Sequence, residues 1–297
     1  MKLAIPDLIS PSYFPAIAAV ELGCLAREGL DVSLEMVAPV ERSYAMLRGG
    51  ELDIVGGSAH SALAAFPDWR GVRLLCAQSR GMYWFLVMRA ALGIARGDLA
   101  ALRGRRIGAA PFVGLALRHL LRGLGLDPEA NDIGIVPIPG TERTNFGVAA
   151  ARALEAGTID GFWANGMGTE IALRRGIGTL VLDARRDAVA APWFLSTMPV
   201  MAVTDEFARA RPEAAAAIVR ATTAAQALLR EDPARATAIG RKLFPAEEAE
   251  MIAELVRRDA PFYTPGLPEG LAAGLDGLGF DLGLQTPGST AAVALGG

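Results

Sequence analysis

The chain has 297 residues, 52% of them hydrophobic and 21% charged, with a formal net charge of −3. That much apolar material excludes disorder over most of the length. The near-neutral balance removes any electrostatic case for nucleic acid or an anionic membrane as partner.

Short apolar strands alternate with amphipathic helices along the chain, which predicts an α/β fold with mainly parallel pairing. Residues 3–6 read as a strand, and 15–28 as one helix with Ile17, Val20, Cys24 and Leu25 on a face. Gly29 stops it, 30–37 is the next strand, and 41–48 is a helix ended by Gly49-Gly50. Strands at 52–55, 72–77 and 83–89 follow, with a short helix at 60–66. A second series begins with a turn at 98–102 and strands at 106–109, 133–138, 159–163 and 180–183. Helices at 113–124, 146–155 and 169–175 lie between them. After a strand at 198–203 the chain is nearly all helix to about residue 259, punctuated by Pro212, Pro233 and Pro245 near helix starts. Residues 283–297 read as loosely ordered.

One internal echo stands out. Leu47-Arg-Gly-Gly50-Glu-Leu52-Asp53 recurs as Leu154-Glu-Ala-Gly157-Thr-Ile159-Asp160, in each case a helix, a glycine stop and a strand carrying Asp. The two series, followed by helices that need a sheet to pack on, predict two α/β lobes. Lobe one is expected at 1–86 plus 198–297 and lobe two at 87–197.

The chemistry-bearing motifs are mostly missing. G-x-x-x-x-G-K-[ST] and G-x-S-x-G are absent, and Gly166-Met-Gly168 lacks the third glycine of a dinucleotide loop. Ser58 and His60 are close in sequence, but their spacing does not by itself build a nucleophile–base pair. The only lysines, Lys2 and Lys242, lie outside any motif, which argues against a Schiff-base cofactor. His60, His119, Cys24 and Cys76 are too few and too scattered for a zinc site. No metal and no organic cofactor are therefore expected. The cysteines read as buried apolar thiols, with a Cys24–Cys76 disulfide as the alternative. The longest uncharged run, 188–204, contains Pro192 and Pro199 and is too broken for a helix of about 20 apolar residues across a bilayer. No signal peptide is read at the start, because Asp7, Ser10, Pro11, Ser12 and Pro15 spoil any apolar stretch.

What remains is the set of loops that follow the strands, where open α/β sheets bind ligands. In the first series they carry Ser10, Ser12 and Tyr13, then Arg42, then Ser58 and His60, then Gln78, Ser79 and Arg80. In the second they carry Phe112, then Arg143, Thr144 and Asn145, then Trp163 and Asn165. Hydroxyls, amides, arginines and two aromatics suit a small polar or anionic ligand. Helix N-termini opening at His60 and Val113 would add backbone N–H donors. The ligand-binding candidates are Ser10, Ser12, Tyr13, Arg42, Ser58, His60, Gln78, Arg80, Phe112, Trp163 and Asn165, and no catalytic residue is assigned. Plainer readings stand beside them: Ser12 and Ser58 as helix caps, His60 as a turn histidine, Arg42 and Arg80 as solvated, Trp163 as core.

Five stretches occur in a recognisable order over about residues 1–285. The first is Pro15-Ala-Ile-Ala-Ala-Val-Glu-Leu-Gly23-Cys-Leu25-Ala-Arg-Glu28-Gly29-Leu30-Asp31-Val32. The second is Leu47 to Asp53, close to L-x-x-G-E-L-D. The third is Asp98-Leu-Ala-Ala-Leu102-Arg-Gly104-Arg-Arg-Ile107-Gly108, close to D-L-x-G-K-x-V-G-V. The fourth, Ala151 to Gly161, is close to A-L-x-x-G-x-I-D-A. The fifth runs from Arg211-Pro212-Glu213 through Ala221 and Ala227 to Glu231-Asp-Pro233. Together they resemble the solute-binding proteins of nitrate/sulfonate/taurine ABC importers, a family that includes binders of the thiamine pyrimidine precursor. The chain departs from that pattern at Ala110-Pro111-Phe112, where Gly-Ser is common, and at Ala164-Asn165-Gly166, where a proline often follows.

The resemblance implies a two-lobe, hinged, type II periplasmic-binding-protein fold with the ligand in the cleft between lobes. It also implies delivery of the ligand to ABC permease and ATPase subunits by a periplasmic protein. A monomer is expected, and the lack of a readable signal peptide leaves the cytoplasm as the alternative location. The favoured function is capture of a sulfonate, carboxylate or pyrimidine-like molecule without catalysis. The alternatives are a desulfinase-, decarboxylase- or pyrimidine-synthase-like enzyme on the same fold and a ligand sensor working with a regulator. The enzyme reading is disfavoured because the first-strand loop holds Ser10 rather than a cysteine.

Overall fold

The computed structural model describes residues 1–138, 141 and 145–295, so the expected loop residues Arg143 and Thr144 lie outside the described residues. The chain divides into two compact units, Met1–Gly81 with Leu195–Gly297, and Met82–Phe194. Unit one opens with β1 (Lys2–Ile5), α1 (Phe14–Glu21), α2 (Cys24–Arg27), β2 (Ser33–Met36), α3 (Val40–Arg48), β3 (Ile54–Ser58) and β4 (Val72–Ala77). Unit two holds β5 (Phe85–Arg89), β6 (Arg106–Gly108), α4 (Pro111–Gly123), β7 (Gly134–Val136), α5 (Phe146–Glu155), β8 (Gly161–Ala164), α6 (Gly166–Arg174) and β9 (Gly178–Asp183). The chain returns to unit one as β10 (Pro199–Thr204), α7 (Asp205–Ala210), α8 (Pro212–Glu231), α9 (Arg235–Leu243), α10 (Ala246–Asp259), α11 (Leu271–Asp281) and α12 (Ala292–Leu295).

Each unit is built on a five-stranded sheet, and the two sheets share one topology: β2-β1-β3-β10-β4 and β7-β6-β8-β5-β9. The expectation of mainly parallel pairing is corrected here. In each sheet two pairings are parallel and two antiparallel, because the strand by which the chain crosses into that unit, β10 or β5, inserts against its neighbours' direction. Local hydrophobic pattern specifies a strand but not its direction, so this reversal is not written in any one segment.

The expected single helix over 15–28 is broken at Gly23, whose φ of +68° ends α1 and starts α2. The expected loose tail is also corrected. Gln285 is buried and its Oε1 accepts from Trp69 Nε1 at 3.0 Å, while Ala291 and Ala294 are fully buried. A buried indole N–H needs a partner, and the tail supplies it.

The sequence echo has a structural meaning. Gly50 and Gly157 end their helices at φ +78° and +70°. Three residues on in each case, the aspartate takes the same role. Asp53 Oδ2 accepts from Lys2 N at 2.8 Å, and Asp160 Oδ2 accepts from Arg106 N at 2.9 Å. Lys2 and Arg106 begin the first parallel strands of the two sheets. Their carbonyls in turn accept from the aspartates' own N–H groups, at 3.1 and 2.8 Å.

In unit two, α5 lies over β5 and β8 through Val87, Ala150, Leu154, Phe162 and Ala172. It also meets α6 at backbone distance: a Cβ on Gly168 would stand 2.7 Å from the Cα and carbonyl oxygen of Gly147. Among the described residues no helix is long and apolar enough to cross a membrane. Gly168→Ala should therefore destabilise the protein by about 1–3 kcal/mol, since backbone must move to admit the methyl. Gly277→Ala, on α11 with nothing within 4 Å of the added atom, should be neutral or stabilising by about 0.5–1 kcal/mol. Thermal unfolding of the two variants checks the contrast.

Candidate functional site

In unit one, β1 and β3 are parallel, and β4 runs with them because both β3 and β4 pair antiparallel to β10. The loops after β1, β3 and β4 therefore leave from one edge of the sheet. Most of the expected unit-one residues are on this edge and buried. Ser10 is fully buried and its Oγ has no hydrogen-bond partner. Ser12 Oγ donates to Asp259 Oδ2 at 2.8 Å, and Tyr13 is buried at the start of α1. Ser58 ends β3 rather than following it. Its Oγ lies 2.6 Å from Ser61 Oγ, and its carbonyl accepts from the Tyr44 hydroxyl at 3.1 Å. Gln78 is fully buried, with Nε2 donating to the Val200 carbonyl at 2.9 Å and Oε1 left without a partner. Arg80 is partly exposed, and its buried Nε has no partner. Arg42 is exposed on the first turn of α3.

The expected helix N-terminus at His60 is corrected. Ala59–Ala64 is a 3-10 turn, and its first N–H groups are already used: Ala59 N donates to Met198 O at 2.9 Å and His60 N to Thr197 Oγ1 at 3.5 Å. The His60 ring also turns to Thr197, with Nδ1 2.9 Å from Oγ1. Ser58 and His60 thus have separate partners and do not form a nucleophile–base pair.

A segment the sequence reading did not single out holds this edge together. Besides Asp259 on Ser12, the Tyr263 hydroxyl donates to the Pro11 carbonyl at 2.6 Å. Arg80 N donates to Phe262 O at 2.8 Å, and Ala77 N to Pro265 O at 2.9 Å. From α8, Gln226 Nε2 donates to the carbonyls of Ala77 (3.0 Å) and Gln78 (2.8 Å). Residues 259–265 therefore strap the loop after β1 to the loop after β4. No local signal marks them, because their partners lie up to about 250 positions away.

Unit two repeats the arrangement. β6 and β8 are parallel, β9 runs with them, and the amino end of β5 falls at the same edge, with Phe85 opposite both Ala164 and Asp183. Trp163 is fully buried there, and its Nε1 has no partner. Asn165 caps α6, its Oδ1 accepting from Met167 N at 3.1 Å. Asn145 caps α5 in the same way through Gly147 N at 2.8 Å. Phe112 is partly buried in the first turn of α4, which opens at Pro111 and not at Val113. Tyr83 and Trp84, read from sequence as strand, precede β5 and join this edge. Their rings are 4.3 Å apart, and Trp84 lies 6.0 Å from Trp163. The Arg185 guanidinium lies 5.9 Å from the Tyr83 ring centroid.

Reactive groups are scarce on both edges. Cys24 and Cys76 are buried free thiols. Burial pushes Cys76 up to about 12 and also raises Cys24 despite the nearby Arg27. Both therefore stay protonated at neutral pH and are poor nucleophiles. Among the described residues no group of three His, Cys, Asp or Glu side chains could hold a metal ion.

Residues 107–241 match the NMT1-like family model. No curated protein sequence matches the chain. Solved structures match it over nearly its whole length. The alkanesulfonate-binding protein SsuA from Xanthomonas axonopodis pv. citri, bound to MOPS, superposes with a TM-score of 0.74 at 14% identity, covering 99% of this chain and 97% of that one. The fold is that of the periplasmic binding proteins. The periplasmic nitrate-binding protein NrtA from Synechocystis PCC 6803 has a TM-score of 0.65 at 15% identity, covering 83% of this chain and 68% of that one. DszB, an enzyme, solved with biphenyl-2-sulfinic acid, has a TM-score of 0.61 at 19% identity, covering 96% and 93%. These matches agree with the nitrate/sulfonate/taurine resemblance that the motifs carry.

Two outcomes test this description. Tyr263→Phe deletes one buried hydrogen bond and should cost about 1 kcal/mol in denaturant unfolding. Iodoacetamide at pH 8 should leave both cysteines unmodified in the folded protein and label both once it is unfolded, as read by mass spectrometry.

Proposed function

We propose that the protein is the solute-binding component of an ABC importer, capturing a small polar or anionic organic molecule and passing it to permease and ATPase subunits. The candidate ligands are sulfonates, carboxylates and pyrimidine-like rings. The observation that carries this reading is the set of buried polar atoms left unpaired at the strand-end loops: Ser10 Oγ, Gln78 Oε1 and Arg80 Nε in unit one, Trp163 Nε1 in unit two. Buried polar groups are nearly always satisfied, and leaving one unpaired costs about 1–3 kcal/mol. A run of such groups where α/β sheets bind ligands is what a site built for a polar guest looks like without it. Ser10 and Arg80 would hold the head, with Ser12, Tyr13, Ser58 and His60 shaping the wall and Arg42 at the rim. Phe112, Trp163 and Asn165 would take the body.

The neighbours described as sulfonate- and nitrate-binding periplasmic proteins support capture and transport, and with them a periplasmic location. The DszB likeness supports the enzyme alternative less well. The loop after β1 offers a serine hydroxyl with no base beside it, and both thiols are buried and protonated.

A thermal-shift screen of sulfonates, carboxylates and pyrimidines should yield a ligand that raises the melting temperature by mass action. No shift across all three classes overturns the reading. Ser10→Ala separates binding from folding. It should leave unliganded stability unchanged or higher, since an unpaired buried hydroxyl is removed, yet weaken the ligand found by about 1 kcal/mol in calorimetry. Trp163→Ala should weaken it by about 1–3 kcal/mol.

A further inference from the structure

Resting on that reading, we infer that the ligand is an aromatic anion, an aryl sulfonate or aryl carboxylate. Trp163 Nε1 donates a hydrogen bond to it, and Trp84 and Tyr83 form the wall its ring lies against. The argument begins from two indoles in the same protein. Trp69 and Trp163 are both fully buried. Trp69 Nε1 donates to Gln285 Oε1 at 3.0 Å, a partner brought from 216 residues away, whereas Trp163 Nε1 has none. A buried indole N–H ordinarily finds an acceptor, so the fold met that need at one position and left it open at the other.

The surroundings of Trp163 are not those of plain core. Its neighbour Phe162 points to the other face of β8, into the aliphatic cluster under α5. Trp163 instead meets the aromatic group at the strand-end edge, tilted 47° from Trp84, which is in turn tilted 34° against Tyr83. Offset and tilted rings at these distances accept a further flat ring, whereas a puckered or open-chain body gains only contact area from them. The Arg185 guanidinium over Tyr83 puts positive charge at the end of this wall, complementary to an anionic substituent. The residues of unit one select for a polar head, and those of unit two add a selection on the body that carries it.

The test is calorimetry and tryptophan fluorescence on the full chain with two matched pairs: benzenesulfonate against cyclohexanesulfonate, and benzoate against cyclohexanecarboxylate. Head and carbon number are the same within a pair, and only ring flatness changes. The aromatic member of at least one pair should bind about tenfold tighter or better and quench fluorescence. Trp163→Phe keeps a ring but loses the donor, and should weaken that ligand about tenfold, the scale of one hydrogen bond. Equal affinity within both pairs overturns the inference. So does an unchanged affinity in Trp163→Phe, which would mean that the indole N–H bonds to water. Should that variant fail to fold, Trp84→Leu serves, and it should reduce the aromatic preference. Binding of none of the four compounds also overturns the inference. The transport reading would still stand if the wider screen finds another ligand.

Discussion

Both sheets depend on one small joint. A helix ends on a left-handed glycine, and a strand begins whose leading aspartate clasps the first N–H of the neighbouring strand. Asp53 does this to Lys2 and Asp160 to Arg106. A hydrogen bond to a charged acceptor is stronger than a neutral one, and here it acts at the start of a strand only three or four residues long. With so few ladder bonds, a slip of one residue would turn every side chain to the wrong face. The clasp fixes where β1 and β6 begin, and so fixes where their loops emerge at the opposite edge. The loops after those strands carry Ser10 in one unit and Phe112 in the other. The repeat visible in the sequence is therefore a register device, placed at the far end of each sheet from the residues that matter for binding.

The binding edge of unit one needs a second device, because its loops have little secondary structure of their own. The loop after β1 is tied at Pro11 and Ser12 by Tyr263 and Asp259, and the loop after β4 at Ala77, Gln78 and Arg80 by Pro265, Gln226 and Phe262. These contacts use backbone groups and the Ser12 hydroxyl, and they leave Ser10 Oγ and Gln78 Oε1 unspent. Gln78 shows the division within a single side chain. Its amide nitrogen holds β10 through the Val200 carbonyl, which fixes the direction in which its oxygen points. A preorganised loop loses less entropy when it binds, which is the general benefit of positioning polar groups before the ligand arrives.

Much of this was legible in the sequence, and the failures share a cause. The alternation of strands and helices, the echo at Asp53 and Asp160 and the loop positions of Ser10 and Gln78 are local patterns, and local patterns can be read. Strand direction is not local: β5 and β10 look like any other apolar run, and they reverse because the chain crosses between units there. The break at Gly23 was missed because the apolar spacing continues across it, so periodicity outvoted the one residue able to turn. Tyr83 and Trp84 were taken for strand because aromatic residues favour strands, although they precede β5. Asp259 and Tyr263 sit at the end of a long helical stretch where acidic and aromatic residues are unremarkable. Only their partners, about 250 positions earlier, give them a role.

The same bookkeeping separates a binding protein from an enzyme on this fold. Catalysis by a serine or cysteine needs a nucleophile next to a base. Here the Ser58 hydroxyl pairs with Ser61, and the His60 Nδ1 is turned to Thr197. The thiol of Cys76 is carried up to about 12 by burial. What the strand-end edges offer instead is hydrogen-bonding capacity without reactivity: a hydroxyl, an amide oxygen, a guanidinium nitrogen and an indole N–H, each buried and each unpaired. Groups of this kind contribute to the free energy of holding a molecule and have no means of breaking its bonds. Their unpaired state makes the empty site less favourable, so a polar guest that satisfies them recovers free energy that folding left unclaimed.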